Sequence, residues 1–149
     1  MDIIDMRPPR IALALTLIAA ELHRTLNIWD KFRYSSLWGG VIIGVIGFSL
    51  MMRSWSLFKM RNAPICLPAG STVLITDGPY RSSRNPMYLG MIFMMLGLAL
   101  YVGTPPFYLS VVAYFAIINF IFCPYEENKL SNSFGDEYVN YKNCVRRWI

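Results

Sequence analysis

Two short polar clusters hold the residues that could do chemistry. The first is GPYRSSRNPMYLG, residues 78–90, which combines arginines, an Asn-Pro bend and two tyrosines. The second begins at the paired carboxylates Glu126 and Glu127 and continues through FGDEYVNYKNCVRRWI to the C-terminus. Residues 85–125 contain no Asp, Glu, Lys or Arg, which is enough for two membrane crossings with a turn between them. Such a hairpin returns the chain to the side it left, so the two clusters are predicted to face each other at one membrane surface.

The paired carboxylates have two interpretations. As the acidic start of a solvated helix, Glu126 and Glu127 would lie at the favourable end of the helix dipole, with no ligand. Two adjacent carboxylates that directly follow an apolar span repel each other, however, and packing does not require both. The hairpin also returns them to the level of Arg81 and Arg84. We therefore favour a role for the pair in binding a ligand or in ion pairs.

The segment from Arg84 to Gly90 is predicted to open the third apolar helix. Asn-Pro bends the chain at its entry, and the first helical turn offers free backbone N–H groups to a ligand carboxylate. Tyr80 and Tyr88 add aromatic faces that suit a nucleobase or a cation. A positively charged helix start with interfacial tyrosines would have the same spacing, and from the spacing alone both interpretations stay open.

The composition indicates an integral membrane protein. Of the 149 residues, 55% are hydrophobic and 15% are charged, and the mean hydropathy is +0.39, whereas a water-soluble domain carries more charge. The length fits one domain, residues 1–149. Lys and Arg, which give a net charge of +5, are scattered beside apolar runs, so we expect anionic lipids rather than nucleic acid as partners. The three cysteines show no ligand spacing, and we predict no metal site.

Four apolar segments predict an all-α integral membrane fold with about four transmembrane helices. They cover residues 9–28, 34–52, 87–103 and 106–123. The first has a weakly signal-like shape, but no convincing cleavage site follows it, so we interpret it as a retained span. Close helix packing is predicted where glycines recur, at Gly40, Gly44, Gly47, Gly90 and Gly97.

The distribution of Lys and Arg predicts the orientation of the chain. Eleven of the fourteen lie in the N-terminal segment, in the 53–84 connection and in the C-terminal tail, and three lie between residues 24 and 33. Both termini and the long connection are therefore expected in the cytoplasm, together with both polar clusters. We expect the membrane to be a bacterial or archaeal cytoplasmic membrane.

Two further segments are expected to be structured on that side. The 53–84 connection contains the β-branched run STVLIT and a tight turn at Asp77–Gly78–Pro79, and an ordered loop of this length usually covers a site. In the tail, apolar residues recur at helical spacing, at Leu130, Phe134, Tyr138, Tyr141, Val145 and Trp148. Gly135 is predicted to divide this stripe into two helices. We expect a C-terminal amphipathic helix on the cytoplasmic face.

The order of these motifs resembles a known family. The pattern G-P-Y-R-x-S-R-N-P-M-Y-L-G, then E-E-N-K-L, F-G-D-E-Y-V-N-Y and a terminal V-R-R-W, resembles the integral-membrane methyltransferases, the superfamily of isoprenylcysteine carboxyl methyltransferases and phospholipid N-methyltransferases. The resemblance covers residues 70–149, and the first half matches only as generic membrane spans. It implies S-adenosylmethionine as the cofactor, in a cytoplasmic pocket closed by the loop and tail, and a lipophilic methyl acceptor.

The resemblance also assigns site residues. The backbone of Thr72, Val73, Leu74 and Ile75 is expected to line the cofactor, and the other matching cofactor positions are Tyr80, Asn85, Pro86, Met87, Tyr88 and Glu126. The candidates for aligning the reactants are Arg84, Asn85 and Glu127.

Two positions depart from the family pattern. Asn85 stands where isoprenylcysteine enzymes usually have His, and it can form hydrogen bonds but cannot act as a base near neutral pH. Phe122 stands where the eukaryotic prenylcysteine enzymes have an Arg that holds the substrate carboxylate. The acceptor therefore stays open between an isoprenylcysteine-type carboxylate and a phospholipid-type amine, and a family enzyme with a small apolar thiol or amine acceptor is the closest rival.

Methyl transfer from a sulfonium is a one-step, in-line displacement. The protein has to align the nucleophile at about 3–3.5 Å and exclude water. An anionic acceptor needs no base, whereas a neutral amine must lose a proton. His23 lies in the first apolar segment and is expected to serve packing, and nothing selects among Glu127, Asp136, Glu137 and water as proton acceptor. We expect catalysis by positioning and desolvation, with the acceptor entering laterally from the lipid.

A non-catalytic membrane subunit or transporter that retains the fold is the alternative. A transporter places polar groups at the midplane of its spans. Here the interiors of the later spans offer only Ser49, Ser110 and Asn119, which argues against transport. Binding of S-adenosylmethionine would separate an enzyme from a subunit. The glycines of the second span could pack within one chain or between chains, so the oligomeric state stays open.

Overall fold

The computed structural model describes residues 7–26, 33–60 and 74–149, most of which are helical. The helices are α1 (Pro8–Thr25), α2 (Leu37–Met60), α3 (Pro86–Val102), α4 (Pro105–Ile117), α5 (Cys123–Phe134) and α6 (Asp136–Cys144). A 3₁₀ turn covers Gly78–Arg81, and a π-helical turn, Ile118–Phe122, joins α4 to α5. These three described ranges contain no strand, and the prediction of an all-helical fold is confirmed for them.

Two helices of the described ranges are long and apolar enough to cross a membrane. They are α2 and the continuous helix Pro105–Phe134, which combines α4, the π-helical turn and α5. α3 is also apolar but has 17 residues, a length of about 25 Å at 1.5 Å per residue. α1 carries Arg10, Glu21 and Arg24 and does not meet the same criterion. The described ranges thus contain two candidate spans, and the total of four spans stays a prediction.

The boundaries of two predicted spans differ from the structure. α2 begins at Leu37 rather than at residue 34, and it continues to Met60 rather than ending at residue 52. The helix that contains the fourth apolar segment does not end with that segment at residue 123, because it continues through Glu126, Glu127 and Lys129 to Phe134. Glu and Lys are good helix formers, so a helix that leaves an apolar environment does not have to stop there.

α2 and α3 approach each other closely through paired glycines. A Cβ atom added to Gly40 would lie 2.6 Å from the carbonyl oxygen of Gly97, and one added to Gly47 would lie 2.6 Å from that of Gly90. The predicted packing role is confirmed for these four positions. A Cβ atom on Gly44 would meet no atom within 4 Å. Because the pairs run in opposite directions along the two helices, the end of α2 lies beside the start of α3, where the first polar cluster is.

We expect Gly47→Ala to lower the melting temperature of the purified protein in detergent by several degrees. The added methyl group would overlap the backbone of α3, and overpacking of this kind costs about 1–3 kcal/mol. Gly44→Ala is the matched control, because it makes the same change on the same helix but points into open space. Equal melting temperatures for the two variants would contradict the close approach at Gly47.

The opposite end of the fold contains the turn between α3 and α4. Gly103, whose φ is 78°, ends α3 in the left-handed conformation that favours glycine, and its carbonyl accepts a 2.7 Å hydrogen bond from Tyr34 N–H. The ring of His23 lies 6.2 Å from that of Phe107 in the first turn of α4. Glu126 lies 19 residues farther along the same continuous helix, about 28 Å away. His23 therefore packs far from the second polar cluster, as expected.

The C-terminal part agrees only partly with its prediction. Gly135, whose φ is 53°, separates α5 from α6 as predicted, and α6 begins at Asp136. The prediction of a helical stripe that continues to Trp148 is wrong beyond Cys144, because Val145 already has an extended backbone, with φ −122° and ψ 129°. The residues after Cys144 leave the helix and form hydrogen bonds with the start of α3 and with Glu127.

Candidate active site

The start of α3 and the far end of the Pro105–Phe134 helix meet at one end of the fold. The hydroxyl of Tyr88, in the first turn of α3, donates a hydrogen bond to Oε1 of Glu126 on α5. The two polar clusters are thus in direct contact, as the uncharged hairpin between them predicts. Oε2 of Glu126 accepts no hydrogen bond from the described residues. The described residues therefore leave this acceptor unused.

Tyr80 belongs to the same polar region. It lies in the 3₁₀ turn that starts at Gly78, whose φ of 58° favours glycine, and its ring packs edge-on against Phe58 at a centroid distance of 5.8 Å. Its carbonyl accepts a 2.7 Å hydrogen bond from the Tyr141 hydroxyl. Burial raises the pKa of Tyr80, and the nearby Tyr141 and the Glu126 carboxylate raise it further. Tyr80 therefore stays a neutral hydroxyl close to Glu126.

Glu127 has a different environment from its neighbour. Its buried carboxylate accepts two hydrogen bonds from Arg147, of 2.8 and 3.0 Å, while Arg84 Nη1 lies 3.1 Å and Lys142 Nζ 3.5 Å from its oxygens. Arg84 also donates to the Tyr138 hydroxyl at 3.3 Å. Bidentate pairs between Arg and carboxylate are among the stronger hydrogen bonds in proteins, and this pair raises the pKa of Arg147. Glu127 is the centre of an ion-pair network.

The residues that follow α6 fold back onto the start of α3. The backbone N–H of Arg84 donates to the Arg146 carbonyl at 3.0 Å. The Ser83 hydroxyl and the Asn85 side-chain amide both donate to the Arg147 carbonyl, at 3.2 and 3.3 Å. Asn85 therefore binds the protein's own tail. The tail and the entry of α3 form one hydrogen-bonded unit.

The π-helical turn provides a second anchor for the tail. Oδ1 of Asn119 accepts hydrogen bonds from the Trp148 indole at 3.0 Å and from Arg147 at 3.4 Å, and the Asn119 carbonyl accepts another from Arg147 at 3.3 Å. The turn ends two residues before Pro124, which has no N–H and crowds the preceding carbonyls. A π-helical turn accommodates such a residue and changes the backbone hydrogen bonding locally. Trp148 also packs on Phe115 at 5.2 Å.

The structure brings four of the assigned residues into contact, Tyr88 with Glu126 and Arg84 with Glu127. Tyr80 is close enough to Glu126 for the carboxylate to raise its pKa. Of the other assigned residues, Pro86 and Ile75 are buried and Leu74 and Met87 are half-buried. Thr72 and Val73 lie outside the described residues. Contact of these residues with a cofactor stays a prediction.

Sequence reasoning assigned no site role to three residues that hold the site together. Tyr138 and Tyr141 were part of the apolar stripe, yet their hydroxyls bind Arg84 and the Tyr80 carbonyl. The sequence did contain a hint of the role of Asn119. A single amide in an apolar helix is costly unless it forms a hydrogen bond, so a polar partner could have been expected. Within the described ranges, no group of three or more His, Cys, Asp or Glu side chains is arranged to hold a metal ion.

Comparisons with known proteins match the region that contains the site. The model of a family described as phospholipid methyltransferase matches residues 37–137, more than half of the chain. A Haemophilus influenzae protein called uncharacterized is 38% identical over 63 residues, which is 42% of this chain and 100% of that protein. No solved structure matches the chain significantly.

The names of two plant relatives state an enzymatic activity. Protein-S-isoprenylcysteine O-methyltransferases B and A of Arabidopsis thaliana are 32% and 33% identical to this chain over 75 residues, which is 48% of this chain. The matched region is 36% of each plant protein. The chain thus matches about a third of the length of these two relatives.

Proposed function

The chain belongs to the phospholipid methyltransferase family, and from that premise we propose that it transfers a methyl group from S-adenosylmethionine to a lipophilic acceptor at a membrane surface. The observation that carries the proposal is the hydrogen bond between Tyr88 and Glu126, which joins two motifs 38 residues apart in sequence. The names of the two plant relatives, isoprenylcysteine O-methyltransferases, support a lipophilic acceptor.

The described residues suit S-adenosylmethionine. Oε2 of Glu126 can accept hydrogen bonds from an ammonium group or from ribose hydroxyls. The rings of Tyr80 and Tyr88 offer faces that suit an adenine ring or a sulfonium cation. We propose that these three side chains bind the cofactor, with Leu74, Ile75, Pro86 and Met87 lining it. Asn85 contributes indirectly, because its amide holds the tail against the site.

When bound, S-adenosylmethionine supplies an electrophilic methyl group. The protein must hold the acceptor's nucleophile in line with that group, at about 3–3.5 Å, and keep water out. Glu127 is engaged by three cations, so it is poorly placed to serve as a general base. Burial raises the pKa of Tyr141 to about 12, so this residue acts as a hydrogen-bond donor near neutral pH. These features favour catalysis by positioning and desolvation, which suits an anionic nucleophile.

We propose that the site opens on the cytoplasmic side. The excess of Lys and Arg in the 53–84 connection and in the tail supports this orientation. The tail and the α3 entry are hydrogen-bonded to each other, so they lie on the same side. α6 turns Tyr138 inward and exposes Glu137 and Lys142, as expected for a helix that lies at the membrane surface.

No observation favours transport. The Ser110 hydroxyl donates a 2.7 Å hydrogen bond to the Phe107 carbonyl of its own helix, and Asn119 holds the tail. Two of the three polar side chains in the later spans therefore form hydrogen bonds inside the fold and do not line a transport pathway.

Transfer of a labelled methyl group tests the proposed function directly. Purified protein is incubated with membrane lipids and S-adenosylmethionine labelled on its methyl group, and the label is expected in the lipid extract. Alkali then distinguishes the product, because a methyl ester releases methanol and an N-methyl group does not. Failure of the protein to bind S-adenosylmethionine, together with an unlabelled lipid extract, would contradict the proposal.

A further inference from the structure

We propose that Asn119 and Pro124 are positioning residues for the proposed cofactor site. They stabilise the π-helical turn that joins α4 to α5, and this turn points Glu126, instead of Tyr125, toward Tyr88. The inference rests on the proposed function, because it concerns the placement of the side chain that we assign to the cofactor. The hydrogen bonds of the turn, the rotation of α5 and the partners of α5 each support it.

The π-helical turn leaves the Asn119 carbonyl without its usual backbone donors. In an α-helix this carbonyl would accept a hydrogen bond from the N–H of Cys123, four residues later. Here the Cys123 N–H donates to the Ile118 carbonyl, five residues back, and the next residue, Pro124, has no N–H. The Arg147 guanidinium donates instead, at 3.3 Å to the Asn119 carbonyl and at 3.4 Å to Oδ1. A side chain from the tail thus completes the hydrogen bonding of the turn.

Pro124 and the tail favour the π-helical turn over a regular α-helix. A regular helix through residue 124 would press the Pro124 ring against the Phe120 carbonyl, four residues back. An amide inside an apolar helix also needs a partner, and Oδ1 of Asn119 accepts a 3.0 Å hydrogen bond from the Trp148 indole besides that from Arg147. π-Helical turns are rare and are frequent at functional sites. Specific contacts therefore hold this one in place.

The additional residue of the turn changes the direction of every side chain on α5. A π-helical hydrogen bond spans five residues instead of four, and each helical residue accounts for about 100° of rotation. Without the additional residue, each side chain of α5 would take the direction that its successor now has. The exposed Tyr125 would then face Tyr88. Glu126 would take the place that Glu127 now has among the cations.

The two glutamates keep their separate partners because of this rotation. Tyr88 donates a hydrogen bond to Oε1 of Glu126. Arg84 and Arg147 approach the Glu127 carboxylate to 3.1 and 2.8 Å. Since residues 126 and 127 are both glutamates, a shift by one residue would preserve the ion pairs but not the contact with Tyr88. A helix without the π-helical turn would thus keep its ion-pair network and lose the carboxylate of the proposed cofactor site.

Replacing both positioning residues tests the inference. In the double variant Asn119→Leu/Pro124→Ala both supports of the π-helical turn are absent, and we expect the segment to relax to a regular α-helix, the commoner form. Isothermal titration in detergent is then expected to show about 100-fold weaker binding of S-adenosylmethionine, because a hydrogen bond to a charged group is lost. Adding Tyr125→Glu is expected to restore the affinity to within about threefold of the native value, because position 125 then faces Tyr88.

The native rotation of α5 provides the matched control. In a chain that keeps the π-helical turn, Tyr125→Glu is expected not to rescue Glu126→Ala, because residue 125 is exposed there. Rescue in that control, native affinity in the double variant, or a loss that Tyr125→Glu does not restore would each overturn the inference.

Pro124→Ala alone gives a variant that is expected to fold, because alanine is the better helix former and the tail keeps its anchor at Asn119. We expect a smaller loss of affinity, about tenfold, because one of the two supports remains. Native affinity in this variant would overturn the role of Pro124.

Melting temperatures test the rotation of α5 without a cofactor. In the native chain Glu127→Ala is expected to melt lower than Glu126→Ala, because Glu127 makes the ion pairs. In the double variant we expect the order to reverse, because Glu126 then lies among the cations, and an unchanged order would overturn the inference. A native chain that does not bind S-adenosylmethionine would contradict the proposed function, whereas a reversed order would still support the role of the π-helical turn.

Discussion

Glu126→Ala is expected to weaken the binding of S-adenosylmethionine about 100-fold. A hydrogen bond to a charged group contributes about 1.5–3 kcal/mol, and a difference of about 1.4 kcal/mol corresponds to a factor of ten in affinity. Oε2 of Glu126 accepts no hydrogen bond from the described residues, so we expect its contribution to be made only when the cofactor binds. Isothermal titration of the purified protein in detergent measures the effect.

The same substitution should leave the fold largely intact. Within the described residues the Glu126 side chain makes one hydrogen bond, to Tyr88, and the loss of one such contact costs about 1 kcal/mol. Asn128→Ala is the matched control, because Asn128 lies on the same helix and is exposed. We expect normal cofactor affinity for Asn128→Ala and a similar melting temperature for both variants. Unchanged affinity in Glu126→Ala would rule out its assignment to the cofactor site.

The meeting of the two polar clusters was predictable because the membrane restricts where charges lie. A chain with no charge from residue 85 to residue 125 has to cross the hydrocarbon and return. That constraint predicts that Arg84 and Glu127 lie at the same membrane surface. In the structure Arg84 Nη1 is 3.1 Å from the Glu127 carboxylate.

The path of the tail was not predictable from periodicity. Tyr138 and Tyr141 lie on α6, and the same spacing continues to Val145 and Trp148. The chain nevertheless leaves the helix after Cys144, because an extended segment carries Arg147 to Glu127 and Trp148 to Asn119. Hydrophobic spacing records which residues are apolar, whereas this path depends on two polar partners far away in sequence.

The different surroundings of the two glutamates could not be predicted from their spacing, which indicated a ligand or ion pairs for Glu126 and Glu127 as a pair. Only the family resemblance distinguished them, with Glu126 as a cofactor position and Glu127 as a candidate for aligning the reactants. Helical geometry separates them, because adjacent side chains point to different neighbours. Tyr88 lies beside Glu126, while Arg84 and Arg147 lie beside Glu127. The choice depends on the rotation of α5 about its axis, which hydropathy does not determine.

Glu127→Ala is expected to cost about 3 kcal/mol of stability and to lower the melting temperature in detergent markedly. Removing one partner of a buried ion pair costs about 3–5 kcal/mol because the other charge stays buried and unpaired. We expect the lower end because the Lys142 and Arg147 side chains are 47% and 30% exposed and can regain solvent. Arg84, at 9% exposure, cannot.

Glu137→Ala is the matched control for this effect. It removes the same charge from the neighbouring helix α6, where Glu137 is exposed, and exposed charges contribute little to stability. We therefore expect a change in melting temperature of no more than about one or two degrees, since about 1 kcal/mol shifts the melting temperature of a chain this size by about 2–4 °C. If Glu127→Ala melted at the same temperature as Glu137→Ala, the three cations could not depend on Glu127 as their counter-ion. A large difference, by contrast, would show that these cations depend on Glu127 as their counter-ion.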